Sequence, residues 1–221
     1  MLRMVDEMLA RRSIARGALA AVAFEAGPGA FTSLRVSCSV AQGLAFGLGL
    51  PLIPVGTLEA LAIQGIGRPA PGRYPVVVAI DARMNEVYAC SLVVERDEKG
   101  SPGVPCEISP PWVGPGESLA DWIDVGRFSG CEVLTVGEVF ERNPALEASL
   151  HDAGLRTQRA LGTLQPLRAE TIASLARPLL YSGARWDPAD AAPRYVRDKV
   201  ALDRDEQQQQ RLARSRGRGD V

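Results

Sequence analysis

The stretch Gly27–Arg35, which reads Gly-Pro-Gly-Ala-Phe-Thr-Ser-Leu-Arg, decides how this chain is interpreted. A glycine-proline-glycine loop leads directly into a helix predicted over Ala30–Phe46. Glycine permits tight turns and close backbone approach, and a helix N-terminus presents free N–H groups and partial positive charge. The segment therefore suits two roles, phosphate binding or packing against a neighbouring surface. Phosphate binding would indicate an enzyme, whereas packing against a neighbouring surface would indicate a binding subunit.

The predicted helix is apolar or small on nearly every side. Two apolar faces are formed by Phe31, Leu34, Cys38, Ala41, Ala45 and Leu48 on one side and by Val36, Val40 and Leu44 on the other. No charged residue occurs between Arg35 and Glu59. Because a surface helix normally has one apolar stripe and a charged back, we expect burial on two sides. One side faces the chain's own sheet, and the other faces either another helix of the chain or a partner protein.

Composition describes an ordinary globular protein. The chain has 221 residues, 46% of them hydrophobic, which suffices for one compact domain or two small ones. Its net charge of −1 gives the body no general attraction for nucleic acid or an acidic membrane. Charges in the first ten residues argue against a secretory signal, and no apolar run reaches the roughly 20 residues of a membrane span. We expect a cytoplasmic protein.

Metal chemistry is not expected from the cysteines and histidine. The four cysteines contain no Cys-x-x-Cys pair, and His151 is the only histidine. Zinc sites need closely spaced Cys and His ligands. The cysteines lie in apolar stretches, so we expect buried, reduced thiols.

Strands and helices alternate on both sides of the helix-breaking segment Arg68–Gly72. This pattern predicts an α/β or α+β protein of two lobes, residues 1–71 and 72–200. The predicted helices are Leu2–Ala10, Ala30–Phe46, Thr57–Ile66 with Thr57 as N-cap, Ser118–Ile123, Ala145–Ala153 and Pro166–Tyr181. The predicted strands are Ala20–Glu25, Leu50–Pro54, the hairpin Tyr74–Asp81 and Glu86–Glu95, and Glu132–Val136. Residues 201–221 are rich in Gln and Arg, which predicts a disordered tail. Such a tail either contacts RNA phosphates or is merely solvated.

Polar side chains around the hairpin turn are the best candidates for chemistry. Asp81 ends an apolar strand, with Arg83 and Glu86 close behind it. Ligand-contacting residues occur at such strand ends, but aspartate there also forms turns, and we favour turn and interface roles. Gly27–Gly29 lacks the Gly-Lys-Ser/Thr ending of a phosphate-binding loop. We therefore predict no catalytic residue, no cofactor and no metal site.

Several motifs together resemble the TsaB (YeaZ) family. Gly27–Arg35 resembles the family's Gly-Pro-Gly-Ser-Phe-Thr-Gly-Leu-Arg signature, and Ala41–Ala45 and Pro54–Leu58 continue the similarity in register. Ala79–Tyr88 is similar to its Ala-Ile-Asp-Ala-Arg-Met-Gly-Glu-Val-Tyr motif, and Pro193–Arg197 to its Pro-x-Tyr-Leu-Arg. The resemblance spans residues 1–200.

The resemblance implies a two-lobed fold of the actin, sugar-kinase and Hsp70 type, which is ribonuclease H-like. It implies a non-catalytic scaffold subunit that pairs with TsaD, which modifies tRNA with threonylcarbamoyl, and that is joined by the ATPase TsaE. The tRNA would be contacted indirectly or through the arginine-rich tail. Pairing would use the first-lobe helices, which gives as interface residues Met4, Met8, Gly27, Pro28, Gly29, Phe31, Thr32, Leu34, Arg35, Val36, Val40 and Leu44.

The sequence departs from the family at its start. The family opens with a three-stranded meander, whereas this sequence begins inside the following helix. We therefore expect a first lobe without that meander, an unpaired apolar edge on the Ala20–Glu25 strand, and either a start assigned too late or a truncated, inactive product. The alternative functions are a kinase-like ATPase or a glycoprotease-like metallopeptidase of the same superfold. A homodimer through the same helices is compatible with the scaffold role.

Overall fold

The first sheet contains two parallel strands. The computed structural model describes residues 2–67, 70–160, 166–183 and 186–197. Helix α1 (Leu2–Arg11) and a 3-10 turn (Arg16–Ala18) precede β1 (Val22–Gly27), and α2 (Phe31–Leu48) connects β1 to β2 (Leu52–Gly56). In this parallel pair, Val22 lies opposite Leu52. Helix α3 (Thr57–Ile66) follows β2 without a loop.

The second sheet has five strands in the order β5-β4-β3-β6-β7. They are β3 (Gly72–Arg83), β4 (Glu86–Arg96), β5 (Cys106–Pro115), β6 (Glu132–Val136) and β7 (Arg156–Arg159). The first three strands pair antiparallel, whereas β6 runs parallel to β3 and β7 parallel to β6. The helices of this region are α4 (Leu119–Trp122), α5 (Glu138–Arg142) and α6 (Pro144–Asp152), whereas α7 (Ala169–Tyr181) packs against β1, β2 and α3.

The alternation of side chains along β3 divides the core. Val76 and Val78 face a cluster that also contains Ile53 of β2, Leu58 of α3 and Leu175 of α7. The residues between them, Val77 and Ala79, face a second cluster under α4–α6. Both faces of β3 are thus buried, as its run of β-branched residues predicts. A third cluster joins β1, β2, α2 and Ala191, so the C-terminal part of the chain helps to cover the first sheet.

Most of the predicted elements are confirmed, with shifts of a few residues at their ends. The structure adds β5, β7 and α5, which the sequence did not reveal. Thr57 is not an N-cap, because the cap position is Gly56. Its hydroxyl donates instead to Glu25 Oε1 at 2.9 Å and ties α3 to β1. The lobe boundary at residues 71/72 remains a prediction, and the predicted tail, residues 201–221, lies outside the described residues.

The expectation of buried thiols is only half right. Cys38 and Cys90 are buried, but Cys106 and Cys131 are exposed, and all four are free. Cys106 opens the edge strand β5, and Cys131 precedes β6, so both lie where the chain enters the sheet from solvent. No helix that the structure describes combines the length and the apolar character needed to cross a bilayer.

Candidate functional site

The glycine loop packs against the C-terminal segment of the chain. Gly27 has φ +109°, in the region that favours glycine, and a Cβ atom there would lie 2.8 Å from the carbonyl oxygen of Arg194 and 3.0 Å from Leu34 Cδ1. Leu34 itself is buried beneath the loop. The loop therefore needs its first glycine to allow close approach of another stretch of backbone.

That other stretch is Ala191–Arg197, which we call the strap. The backbone N–H of Arg194 donates to the carbonyl oxygen of Ala26 at 2.6 Å. The side chain of Arg194 donates through Nη1 to Glu59 Oε1 at 2.9 Å. At the start of the strap, the carbonyl oxygen of Ala191 accepts a hydrogen bond from Gln42 Nε2 at 2.9 Å. The strap thus follows α2 and crosses the end of β1.

Tyr195 of the strap contacts the first turns of α2. Arg35 Nε donates to the Tyr195 hydroxyl at 2.9 Å, and the Arg35 guanidinium lies 3.9 Å from the centre of the Phe31 ring. The Phe31 and Tyr195 rings are 5.8 Å apart, in a tilted arrangement. Arg35 is therefore held by a hydrogen bond and a cation–π contact within the chain.

The hairpin turn receives the other end of the strap. Arg197 Nη2 donates to the carbonyl oxygen of Ala82 at 3.0 Å and also bonds Glu86 Oε2. Asp81 Oδ1 accepts the N–H of Arg83 at 2.7 Å, and the three residues from Arg83 to Asn85 all have positive φ. The structure thus brings Asp81, Arg83 and Glu86 together, with Asp81 shaping the turn and Glu86 anchoring the strap.

A cleft of about 270 Å³ lies between the glycine loop, this turn and the strap. Three arginines border it, and each pairs with a carboxylate: Arg83 with Asp81, Arg194 with Glu59 and Arg197 with Glu86. The positive charge that would attract a phosphate is thus largely neutralised. The geometry favours the packing role of the loop over the phosphate-binding role.

Glu59 is the electrostatically unusual residue here. Burial raises the pKa of its carboxyl group, an effect that Arg194 partly opposes. Its Oε2 is buried and has no hydrogen-bond partner among the described residues. The carboxylate occupies the space that a side chain at residue 56 would fill, 1.9 Å from an ideal Cβ on Gly56. The charge of Glu59 is therefore compensated by a hydrogen bond from its own backbone N–H and, next, by Arg194 of the strap.

Within the described chain, helix α2 is buried on one side, so the chain itself does not supply the cover expected on the second side, and cover by a partner protein remains a prediction. Leu34, Cys38, Ala41 and Ala45 are buried. The opposite side carries the exposed residues Thr32, Ser33, Val36, Ser39, Gly43, Phe46 and Gly47, which we call the α2 face. Val36 is 50% and Phe46 79% exposed. An uncharged face with a bare aromatic ring is typical of a protein-binding surface.

The other predicted interface residues are divided between surface and interior. Met4 and Met8 of α1 are 70% and 59% exposed. Gly27 and Pro28 are buried, Gly29 is half-buried, and Val40 and Leu44 are half-buried in a groove beside β1. Phe46 was missed by sequence reasoning, although an aromatic residue inside an uncharged run was a usable signal. No cluster of three potential metal ligands occurs among the described residues.

The comparisons with known proteins agree with these motifs. A family model described as TsaD, tRNA N6-adenosine threonylcarbamoyltransferase, matches residues 1–100. The YeaZ structure from Pseudomonas aeruginosa is 30% identical, with a TM-score of 0.67, and the match covers 88% of this chain and 83% of that one. The chain belongs to the TsaB (YeaZ) family. The YeaZ match also confirms the predicted actin, sugar-kinase and Hsp70-like fold class.

Two curated TsaB proteins are similar over shorter segments. The tRNA threonylcarbamoyladenosine biosynthesis protein TsaB of Haemophilus influenzae is 46% identical over 95 residues, which is 43% of this chain and 39% of that protein. The Escherichia coli TsaB is 39% identical over 153 residues, or 62% of this chain and 64% of that protein. The chain thus matches less than two thirds of the length of these TsaB relatives.

Proposed function

We propose that this chain is a non-catalytic scaffold subunit in the biosynthesis of tRNA N6-threonylcarbamoyladenosine. It pairs with a TsaD-like catalytic subunit through the α2 face together with Met4 and Met8 of α1. The observation that carries the proposal is the exposed, uncharged α2 face, with Val36 and Phe46 at the surface. Membership of the TsaB (YeaZ) family supports this choice of partner.

The α2 face suits a helix of the partner. Thr32, Val36, Ser39, Gly43 and Phe46 follow one another at alternating spacings of four and three residues, so they form a single line along the helix. Serine and glycine in this line allow close approach of a second helix. Phe46 supplies the aromatic anchor that dominates many interfaces.

The non-catalytic part of the proposal is supported by how the polar candidates are used. Asp81 and Arg83 bond each other at the hairpin turn, and Glu86 holds Arg197. His151 contacts Thr157 on the exposed side of α6 and β7. We further propose a cytoplasmic complex that a TsaE-like ATPase joins, with tRNA contacted mainly through the partner. In the absence of that partner, the same face forms a homodimer.

The decisive experiment combines binding with reconstitution. Binding to the TsaD-like protein of the same organism is measured by titration calorimetry for the parent chain and for Val36→Asp. A charge placed in a desolvated interface should weaken pairing by at least tenfold. Reconstituted tRNA modification, followed with TsaD-like and TsaE-like proteins and threonylcarbamoyl-adenylate, should fall with it.

A matched control is available in the second sheet region. Val104, also 50% exposed, lies in the loop between β4 and β5, and Val104→Asp should leave pairing unchanged. Both variants should retain the parental circular dichroism spectrum. Equal binding by Val36→Asp and the parent would refute the interface. Equal tRNA modification without this chain would refute the scaffold function, and modification by this chain alone would show that it is an enzyme.

A further inference from the structure

The strap runs along one flank of α2. Gln42 Nε2 donates to the carbonyl oxygen of Ala191, at the start of the strap, and Arg35 Nε donates to the hydroxyl of Tyr195, near its end. Because Arg35 and Gln42 are two helical turns apart, they lie on the same side of α2. The strap thus forms a border along the helix.

Arg35 links this border to the α2 face. It precedes Val36 and neighbours Thr32 and Ser39, at the helical spacings of three and four residues. Its side chain is exposed, and no other charged residue follows it in the sequence before Glu59. A partner surface that covers Val36 would therefore also take water away from the Arg35 guanidinium.

The guanidinium of Arg35 is already fixed in place by its own chain. Its Nε is used by Tyr195, and its central carbon lies 3.9 Å from the centre of the Phe31 ring. In the part of the chain that the structure describes, its two terminal nitrogens, Nη1 and Nη2, donate no hydrogen bond, and no carboxylate forms an ion pair with them. Two parallel N–H donors of this kind match the two oxygens of a carboxylate.

The arginines of the neighbouring cleft are used differently. Arg83, Arg194 and Arg197 each pair with a carboxylate of the chain itself. The start of α2 adds to the positive potential around Arg35, since the first turn contains no acidic residue and no side chain caps its N-terminus. A covered Arg35 therefore needs a negative charge that the described residues do not supply.

We propose that Arg35 is the charged docking point of the pairing surface, and that its Nη1 and Nη2 bind a carboxylate of an aspartate or glutamate in the TsaD-like partner. The inference rests on the pairing proposed above. Burying an unpaired guanidinium is costly, whereas a carboxylate held by two hydrogen bonds offsets the loss of hydration. Phe31 and Tyr195 are positioning residues, because they hold the guanidinium so that little side-chain freedom is lost on binding. Arg35 thereby sets the register of the partner along the uncharged α2 face and disfavours partners without the matching acid.

The first measurement is the affinity of the full chain for the TsaD-like protein of the same organism, by titration calorimetry. Arg35→Gln removes the charge and should weaken pairing by about tenfold or more. Arg35→Lys keeps the charge without the fork and should recover only part of this loss. Between about 50 mM and about 500 mM salt, the affinity of the parent should fall more steeply than that of Arg35→Gln. Arg127→Gln, at an exposed arginine that pairs with Asp124, should leave pairing unchanged.

The second measurement locates the carboxylate in the partner. Each aspartate and glutamate of the TsaD-like protein is changed singly to arginine and is tested against the parent chain and against Arg35→Glu. One such change should weaken pairing with the parent and restore pairing with Arg35→Glu by about tenfold or more, as expected for two groups in contact. Equal binding by Arg35→Gln and the parent would overturn the proposal, and so would the absence of any compensating change in the partner.

A purely structural role for Arg35 has a different signature. Tyr195→Phe removes the hydrogen bond to Arg35 but keeps the ring and the charge, so it should weaken pairing less than Arg35→Gln and retain the parental salt dependence. If Arg35 merely held the strap, the two variants would lose pairing and stability to urea equally, which would overturn the proposal. Weaker pairing in Val36→Asp but not in Arg35→Gln would refute this inference alone. No pairing by the parent chain would refute it together with the proposed function.

Discussion

The backbone N–H of Arg194 donates to the carbonyl oxygen of Ala26, residues that are 168 positions apart in the sequence. This bond fixes the strap across the end of β1, at the point where the glycine loop begins. The same strap residue pairs with Glu59 of α3. The strap thus joins β1 and α3, and Arg197 extends it to the hairpin turn.

The close contact between Gly27 and the strap makes Gly27→Ala severe. The added methyl group would meet the Arg194 carbonyl oxygen at 2.8 Å, on a backbone with φ +109°. We expect a loss of about 3 kcal/mol or more in the free energy of unfolding, from the conformational cost and the clash together. Gly49→Ala is the control, because Gly49 also has positive φ but open space around it. It should cost about 1 kcal/mol. Equal losses, measured by urea unfolding, would contradict the contact.

The buried Glu59 carboxyl predicts a specific pH dependence. Because burial raises its pKa in the folded state, the folded chain binds this proton more tightly than the unfolded chain. Its contribution to stability is full below about pH 4.5, the unfolded pKa, and is lost as the pH rises through the folded pKa. Glu59→Gln removes this loss. The free energy of unfolding of Glu59→Gln minus that of the parent should therefore increase with pH.

Arg194→Gln provides the complementary measurement. Arg194 lowers the Glu59 pKa, so its removal should raise that pKa further and make the loss of stability with rising pH steeper than in the parent. Both variants can be followed by urea unfolding between about pH 4 and about pH 8. A difference between Glu59→Gln and the parent that is flat with pH would show that Glu59 does not carry the effect.

Arg96 secures the C-terminal end of α3. It is buried, and its guanidinium donates to the carbonyl oxygens of Gly100, Ile63 and Gly67. Arg96→Met should lower the free energy of unfolding by about 2–4 kcal/mol, because buried carbonyl groups lose their donors. Arg96→Lys should not restore it, since an ammonium group lacks the planar fork. Arg73→Met, at an exposed position of β3 paired with Glu95, should change stability by less than about 0.5 kcal/mol.

The cysteines should react in two classes. Cys106 and Cys131 are exposed, whereas Cys38 and Cys90 are buried, and burial raises the pKa of both buried thiols. An aromatic disulfide reagent should modify two thiols quickly in the native protein and all four after denaturation. Replacing Cys106 and Cys131 by Ser should abolish the fast phase. Rapid modification of a third thiol would mean that the structure around Cys38 or Cys90 unfolds locally and exposes that thiol to the reagent.

The strands that the sequence did not reveal are the two edges of the second sheet. The β5 strand contains Pro110, Pro111 and Pro115, which argue against a strand in the middle of a sheet but are tolerated at an edge. The β7 strand reads Arg-Thr-Gln-Arg and has no apolar alternation. The buried strands β3 and β6 were found because burial on both faces selects β-branched residues, a selection that does not act at edges.

The site was predicted only in part, for a different reason. The uncharged run after Arg35 correctly indicated a helix with an unusual surface. The sequence could not show that the strap engages Phe31 and Arg35, because that contact joins residues 160 apart in the chain. Local patterns report which side of a helix is apolar. They do not report which distant segment covers it.

The strap also determines when the first sheet is completed during synthesis. On the ribosome, β1, α2 and β2 emerge well before the two segments that cover them, α7 and Ala191–Arg197. The nascent first sheet therefore exposes apolar surface until nearly all described residues have been translated. Chaperones bind apolar surface that is exposed in this way. A fragment limited to residues 1–100 would lack both covering segments and would be aggregation-prone.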